Sequence, residues 1–133
     1  MFGLFKRKQP QADRATVEWH ASGGGVYTVT VDGVAEAAQF TELQGEGARE
    51  FDQVGEVRVL MDLRNFKGWR VPPQDDNLDF LLKYDPKMKK IAVVAEESMR
   101  DRAVMFFGKG YRQAEVEFFP SAEFEQAKAW VAT

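Results

Sequence analysis

The sequence predicts a single α/β domain, in which an N-terminal β-hairpin is followed by βαβαβα units. Three observations support this fold class. Two alternating runs rich in β-branched residues flank a glycine triplet, which is typical of a hairpin. After the hairpin, helical and strand patterns alternate strictly, which indicates a mixed, mostly parallel sheet with about four helices. The length of 133 residues, 44% of them hydrophobic, suits one domain with one core.

The first third of the chain is expected to supply the hairpin and one helix. Strands are predicted over residues 16–20 and 26–31, joined by the glycines at 23–25. Asp32-Gly33 is a turn signal that closes the second strand. A helix is expected over about 41–53, with Thr41 as its N-cap and with Gly45 and Gly47 weakening it.

The centre of the chain is the stretch VRVLMDLRNFKGW, residues 57–69. Residues 57–61 predict the central strand, residues 63–74 a loop, and residues 74–84 a helix that ends at Asp85-Pro86. The wholly apolar run at 91–95 is typical of a strand buried on both faces of a parallel sheet.

The last three elements are a helix over 97–107, a strand over 114–119 and a helix that follows Pro120, with Ser121 as its N-cap. One face of the first helix carries Met99, Ala103, Phe106 and Phe107, and the inward face of the second carries Phe124, Ala127 and Val131.

Composition excludes several classes of function. There is no cysteine, so disulfides, thiolate nucleophiles and cysteine-based metal sites are excluded. A single histidine, His20, argues against multi-histidine metal sites and a Ser-His-Asp triad. The net charge of −3 gives no electrostatic support for nucleic-acid binding. No apolar run reaches the roughly 18 residues that a membrane span requires, and we expect a cytoplasmic protein.

Residues 1–15 are predicted to form a tail ahead of the domain at 16–133. The tail begins MFGLFKRKQP and can contact an anionic membrane, which would place the protein peripherally at the inner membrane face. The simpler explanation is a frayed terminus with no such role. The predicted membrane-contact residues are Phe2, Leu4, Phe5, Lys6, Arg7 and Lys8.

Three polar features suggest chemistry, but each has a simpler structural explanation. Asp62, at the end of the central strand, can act as a general base, although a lone aspartate there commonly caps a loop. The glycines at 23–25 connect two strands, whereas a phosphate-binding loop leads into a helix. Asp75, Asp76 and Asp79 can hold a hard cation or simply favour a helix N-terminus. We therefore expect no enzyme activity, no metal and no cofactor.

The loop after the central strand carries the strongest binding signal. Between Arg64 and Arg70 it holds three cations and no acid, together with two aromatic residues. It can bind an amphipathic acid through Arg64 and the rings, or it can pin itself to the protein's own helices. The helix over 97–107 starts at the same edge of the sheet and adds adaptable apolar walls. The predicted ligand-binding residues are Leu63, Arg64, Phe66, Trp69, Met105 and Phe106.

Several phrases resemble the SpoIIAA-like branch of the STAS domain superfamily: TVEWH, VRVLMDLRNFKGW, KKIAVVAEESM and AEVEFFPSAEFEQAKAWV. The resemblance implies a STAS/SpoIIAA-like fold, which is also similar to Sec14-like (CRAL-TRIO) lipid-binding domains. Regulatory STAS domains carry a phosphorylatable serine after this Asp-Leu, whereas no serine or threonine lies between Asp62 and Ser98 here. We therefore expect the phosphoswitch to be absent.

Two functional hypotheses follow from these observations. The leading one is a non-enzymatic binding module for a small hydrophobic or amphipathic, lipid-like acid, with peripheral membrane contact. The alternative is a protein–protein interaction module of the STAS type that lacks the phosphorylatable serine. A homodimer through the Met/Phe helix or through the sheet edge would cover exposed aromatic residues. No nucleic-acid partner is expected.

Overall fold

A computed structural model describes residues 15–71 and 83–133 and shows a six-stranded mixed sheet with helices on both faces. The strands are β1 (Thr16–Gly23), β2 (Val26–Glu36), β3 (Val57–Asp62), β4 (Phe66–Val71), β5 (Met88–Ala95) and β6 (Glu115–Pro120). The α-helices in the described residues are α1 (Ala37–Phe51), α2 (Arg100–Phe106) and α3 (Phe124–Ala132). Short 3-10 helices span Asp85–Lys87, Glu97–Met99 and Ser121–Glu123. The predicted α/β class is confirmed, with three α-helices in this part of the chain.

The sheet has the strand order β1-β2-β3-β5-β6, and β4 pairs with β2. Of the strand pairs within residues 15–71 and 83–133, β1–β2 alone is antiparallel, so the predicted hairpin and the mostly parallel sheet are both confirmed. β2 serves two successive strands: its residues 26–30 pair with β3 and its residues 33–36 pair with β4. Both strands formed by the central stretch at 57–69 therefore pair with the same long strand, β2.

The prediction of a loop over 63–74 is wrong for residues 66–71, which form β4. The turn expected at Asp32-Gly33 is also wrong, and one cause explains both differences. Gly33 adopts a φ of 97°, which glycine reaches without strain, so β2 continues past it with an irregular register. The N–H of Gly33 donates to the carbonyl oxygen of Asn65 at 2.9 Å and thereby fixes where β4 begins.

The first helix begins at Ala37, four residues before the predicted N-cap Thr41. The actual N-cap is Glu36, whose N–H donates to Oε1 of Gln39 at 2.9 Å. The amide of Gln39 in turn donates to the carbonyl oxygen of Ala15 at 2.8 Å. Because Gln39 ties the helix start to the chain segment before β1, the helix can begin directly at the end of β2.

The helical segment predicted over 97–107 is confirmed as a 3-10 turn followed by α2. Ser121 is not the N-cap of the last helix, since α3 begins at Phe124. The Ser121 hydroxyl instead donates to Oε1 of Glu96 at 3.3 Å. Lys83 and Tyr84 are helical, whereas the rest of the helix predicted over 74–84, like the tail at 1–14, lies outside the described residues.

Two apolar layers lie on opposite faces of the sheet. The larger layer, called the main core below, lies beneath α1 and α2 and includes Tyr27, Val29, Val31, Val59, Met61, Ile91 and Val93. The smaller layer lies beneath α3 and contains Leu60, Ala92, Val94, Ala127 and Val131. β5 contributes to both layers, so the prediction that residues 91–95 are buried on both faces is confirmed. The predicted inward face of the last helix is confirmed as well, with Phe124 partly buried beside this layer.

Two cations hold the end of α3 against the sheet. Lys90, only 9% exposed, donates from Nζ to the carbonyl oxygen of Trp130 at 3.1 Å and to Oγ1 of Thr133 at 2.5 Å. The same ammonium lies 4.7 Å from the centre of the Trp130 ring. Arg58 donates from Nη1 to the carbonyl oxygen of Val131 at 3.3 Å. Both positive charges therefore meet the negative end of the helix dipole.

Candidate functional site

The central strand delivers Asp62 to the carboxyl edge of the sheet, on the face that α3 covers. Asp62 is only 7% exposed and accepts two hydrogen bonds from the side chain of Arg64. Arg64 donates from Nε to Oδ1 at 2.8 Å and from Nη2 to Oδ2 at 2.9 Å, and its backbone N–H reaches Oδ1 at 3.2 Å. This bidentate ion pair is the main cause of the raised pKa of the Arg64 guanidinium. Asp62 thus binds the turn that follows its own strand.

The Arg64 guanidinium also stacks on the first aromatic ring of α3. Its central carbon lies 3.7 Å from the centre of the Phe124 ring, a cation–π contact that joins the β3–β4 turn to the helix. The charges of Asp32 and Glu125 also contribute to the raised pKa of Arg64. The surroundings of this cation are therefore acidic, and a ligand carboxylate would compete with Asp62 for it.

Leu63 and Phe66 lie on the other side of the sheet from Arg64. Leu63 is 7% exposed within the main core, and the partly buried Phe66 packs against the same layer. Backbone hydrogen bonds fix both residues, since the N–H of Leu63 donates to Val94 at 2.8 Å and that of Phe66 to Leu63 at 3.2 Å. The side chain of Trp69 lies outside what the structure describes. The six predicted ligand residues thus do not share one face, and their binding role stays a prediction.

The remaining two predicted ligand residues lie on α2 and are exposed. Met105 is 78% exposed and Phe106 is 51% exposed. The opposite face of the same helix carries the buried Ala103, and the neighbouring Met99 and Phe107 pack against the main core. The exposed Arg102 precedes Met105 and Phe106 by three and four residues, so all three share one helix face.

The turn after α2 adds a further exposed aromatic residue, Tyr111, at 95% exposure. Its flanks are anchored. Lys109 donates from Nζ to the carbonyl oxygen of Val116 at 2.8 Å, and Arg112 donates from Nε to Oδ1 of Asp85 at 2.9 Å. We call Arg102, Met105, Phe106 and Tyr111 the α2 tip. Tyr111 was missed at the level of sequence, although the preceding Gly108-Lys109-Gly110 signals a turn that exposes the next residue.

The catalytic candidates do not converge. His20 is exposed on β1, where it lies opposite Thr28 of β2. Asp62 lies on β3, which is separated from β1 by two strand spacings, or roughly 10 Å across the sheet. Across residues 15–71 and 83–133 no three His, Cys, Asp or Glu side chains are grouped as a metal site would require. Within the same ranges no helix combines the length and the apolar character that crossing a bilayer demands.

Known proteins resemble this chain in sequence family and in fold. A profile of the SpoIIAA-like family matches residues 26–132. Among solved structures, the chain is similar to an uncharacterized protein of the DUF3478 family with a SpoIIAA-like fold from Shewanella loihica PV-4. The TM-score is 0.61 at 17% sequence identity, and the match covers 94% of this chain and 99% of that one. No functionally curated protein matches this chain.

Proposed function

The chain belongs to the SpoIIAA-like family, and from that premise we propose that it is a non-enzymatic module that binds lipid-like amphipathic molecules at an anionic membrane surface on the cytoplasmic side. The observation that carries the proposal is the α2 tip, where Met105 and Phe106 expose 78% and 51% of their surface. Exposed apolar groups rimmed by polar residues are typical of interaction surfaces. Because Arg102 shares their helix face, a partner with both apolar and negatively charged parts fits best.

The contacts at the end of β3 favour a surface partner over an enclosed small acid. A free acid would need Arg64, and Asp62 already occupies two of its donors at 2.8 and 2.9 Å. The apolar body of such a ligand would need Leu63 and Phe66, which pack in the main core on the other face. The α2 tip requires no such rearrangement to meet a lipid.

The strength of this contact can be bounded from the exposed groups. Burying the exposed parts of Met105 and Phe106 contributes about 1–2 kcal/mol each. A cation close to an anionic surface, such as Arg102, contributes about 1 kcal/mol. The α2 tip alone thus gives weak and reversible binding. The tail at residues 1–8 would supply a second membrane signal, and stable peripheral binding generally requires two.

Co-sedimentation with vesicles tests the proposal. The full-length protein should sediment with vesicles of phosphatidylcholine and phosphatidylglycerol, and less with phosphatidylcholine alone. Met105→Ser/Phe106→Ser should lower the vesicle partition constant by tenfold or more, since about 2–4 kcal/mol of apolar contact is lost. Arg102→Gln should weaken binding only to the anionic vesicles, whereas the matched control Lys128→Gln, on α3, should not. Failure of the wild-type protein to sediment with either vesicle would refute the proposal.

A protein partner is the alternative, and Tyr111 is the observation that favours it. Its ring is 95% exposed on a turn that Lys109 and Arg112 anchor, and rigidly presented tyrosines are common at the energetic centres of protein interfaces. Under this alternative, Tyr111→Ser abolishes capture of a specific protein while vesicle binding is absent in wild type and variant alike. Under the membrane proposal, the same substitution weakens vesicle binding.

A further inference from the structure

β1 is the outer strand of the sheet, and within the described ranges it pairs only with β2. It runs for eight residues, TVEWHASG, without a lysine or a proline. Sheet edges are commonly protected from self-association by those residues, by bulges or by covering segments. β1 carries only one irregularity, at its last residues, Ala21 to Gly23. It therefore presents a nearly regular edge to a further strand.

The backbone of β1 has donors available along this edge. The N–H of Arg58 donates to the carbonyl oxygen of Gly25, so the odd-numbered residues of β2 bond to β3 and the even-numbered ones face β1. Those even-numbered residues lie opposite Thr16, Glu18 and His20, which therefore bond to β2, and the N–H groups of Val17, Trp19 and Ala21 point away from it. The Glu18 and His20 side chains are exposed, and neither has a hydrogen bond or an ion pair with any described residue.

We propose that two copies of this chain associate by antiparallel pairing of their β1 strands about a two-fold axis at Trp19. In this register Glu18 lies opposite His20 of the second copy, and the symmetry makes the pair occur twice. Trp19 lies opposite its own counterpart on the face of the main core. The remaining pairs are Thr16 with Ser22 and Val17 with Ala21.

The polar side chains select this register over its neighbours. Moving the axis from Trp19 to residue 18 places Glu18 opposite its own copy, and moving it to residue 20 places His20 opposite its own copy. Two carboxylates directly opposite one another destabilise a pair of strands, whereas a carboxylate can accept a hydrogen bond from an imidazole opposite it, and the axis at residue 20 loses that pair. Shifts by an odd number of residues would place core-facing side chains opposite solvent-facing ones.

The Trp19 side chain fits the axis of such a dimer. Its ring packs 5.5 Å from that of Tyr27, and its Nε1 donates to Oε1 of Glu46 at 3.0 Å, so its orientation is fixed within the monomer. The indole is only partly buried by its own chain. A symmetry-related indole alongside it covers apolar surface without moving either ring. This dimer uses no residue of the α2 tip and is independent of the membrane proposal.

Disulfide trapping tests the axis directly, because the chain has no cysteine of its own. Trp19→Cys places two thiols on directly opposed positions, so mild oxidation should give a covalent dimer. Ala21→Cys is the matched control on the same strand and face, and in this register it lies opposite Val17 and should not cross-link. Equal cross-linking of the two variants, with both folded by circular dichroism, would overturn the proposed register.

A charge exchange tests the pairing without removing Trp19. His20→Glu should raise the dissociation constant about tenfold, because two favourable pairs become repulsive. The double variant Glu18→Lys/His20→Glu should restore the wild-type dissociation constant, since lysine then faces glutamate twice. Thr28→Glu adds the same charge to the same face of β2 and should leave dimerisation unchanged.

Sedimentation equilibrium supplies the readout for these variants. A wild-type protein that stays monomeric up to millimolar concentration would refute the proposal. So would dimerisation that appears only after residues 1–14 are removed, since that result would assign the edge to the protein's own tail.

Discussion

Replacing Arg64 should destabilise the protein more than replacing its partner Asp62, because the two members of this ion pair are buried to different extents. The Asp62 side chain is 10% exposed, whereas that of Arg64 is 40% exposed. Arg64→Met keeps apolar contact with Phe124 but leaves a buried carboxylate with one remaining hydrogen bond, from the backbone of residue 64 at 3.2 Å. Asp62→Asn leaves a guanidinium that can turn into water.

The magnitudes follow from the bonds that are lost. A hydrogen bond to a charged group contributes about 1.5–3 kcal/mol, and an unsatisfied buried charge raises the loss further. Two such bonds are lost, but the Arg64 side chain is 40% exposed and solvent screens part of the loss, so we expect Arg64→Met to lower the free energy of unfolding by about 2–3 kcal/mol. Asp62→Asn should lower it by about 1 kcal/mol, because solvent screens the exposed end of the pair.

Urea unfolding followed by circular dichroism measures both changes. Arg100→Met is a matched control, since Arg100 also makes two hydrogen bonds to one carboxylate, that of Glu97, and also stacks on a phenylalanine, Phe118. The Glu97 carboxylate is 62% exposed, so this variant should be clearly less destabilised than Arg64→Met. An Arg64→Met variant that is no less stable than Asp62→Asn would contradict the reasoning from burial.

Three further outcomes are expected in the same unfolding assay. Gly25→Ala should be destabilised by about 2 kcal/mol more than Gly24→Ala: both glycines have positive φ, but only at residue 25 would a Cβ overlap a backbone oxygen, that of Glu56. Lys90→Met should cost about 1 kcal/mol and speed hydrogen exchange at the end of α3, whose carbonyl loses its donor. Burial raises the pKa of Tyr27, so the unfolded chain ionises first and stability falls as pH rises above about 10. Tyr27→Phe should reduce that loss, and an unchanged pH dependence would contradict the assignment.

The strands of the main sheet could be predicted because the polarity of their side chains follows the burial of each position. The run at 91–95 is apolar at every position because β5 is covered on both faces. β4 shows no such pattern, since its sequence FKGWRV mixes cations and glycine with aromatic residues. Its strand conformation depends on β2 continuing past Gly33, and that pairing connects residues more than thirty positions apart. Local pattern carries no information about such a contact.

The candidate site was predicted in part for a similar reason. Sequence spacing placed Arg64 at the correct edge of the sheet, yet the residues around it alternate in direction along the chain. Leu63 therefore enters the main core while Arg64 faces α3. Side-chain exposure on α2 was harder to read, because Met105 and Phe106 are as apolar as any core residue. Only the packed structure distinguishes them from Ala103, which is buried on the same helix.

The double use of β2 has a consequence for the order in which the protein forms during synthesis. β2 leaves the ribosome together with β1, and the two can pair at once through a local hairpin. Its other edge must wait for β3 and β4, which begin at Val57 and Phe66. Until then the backbone groups along that edge have no strand to pair with. The threonines at 28 and 30 interrupt the apolar sequence of β2 and should limit misassembly of the nascent chain.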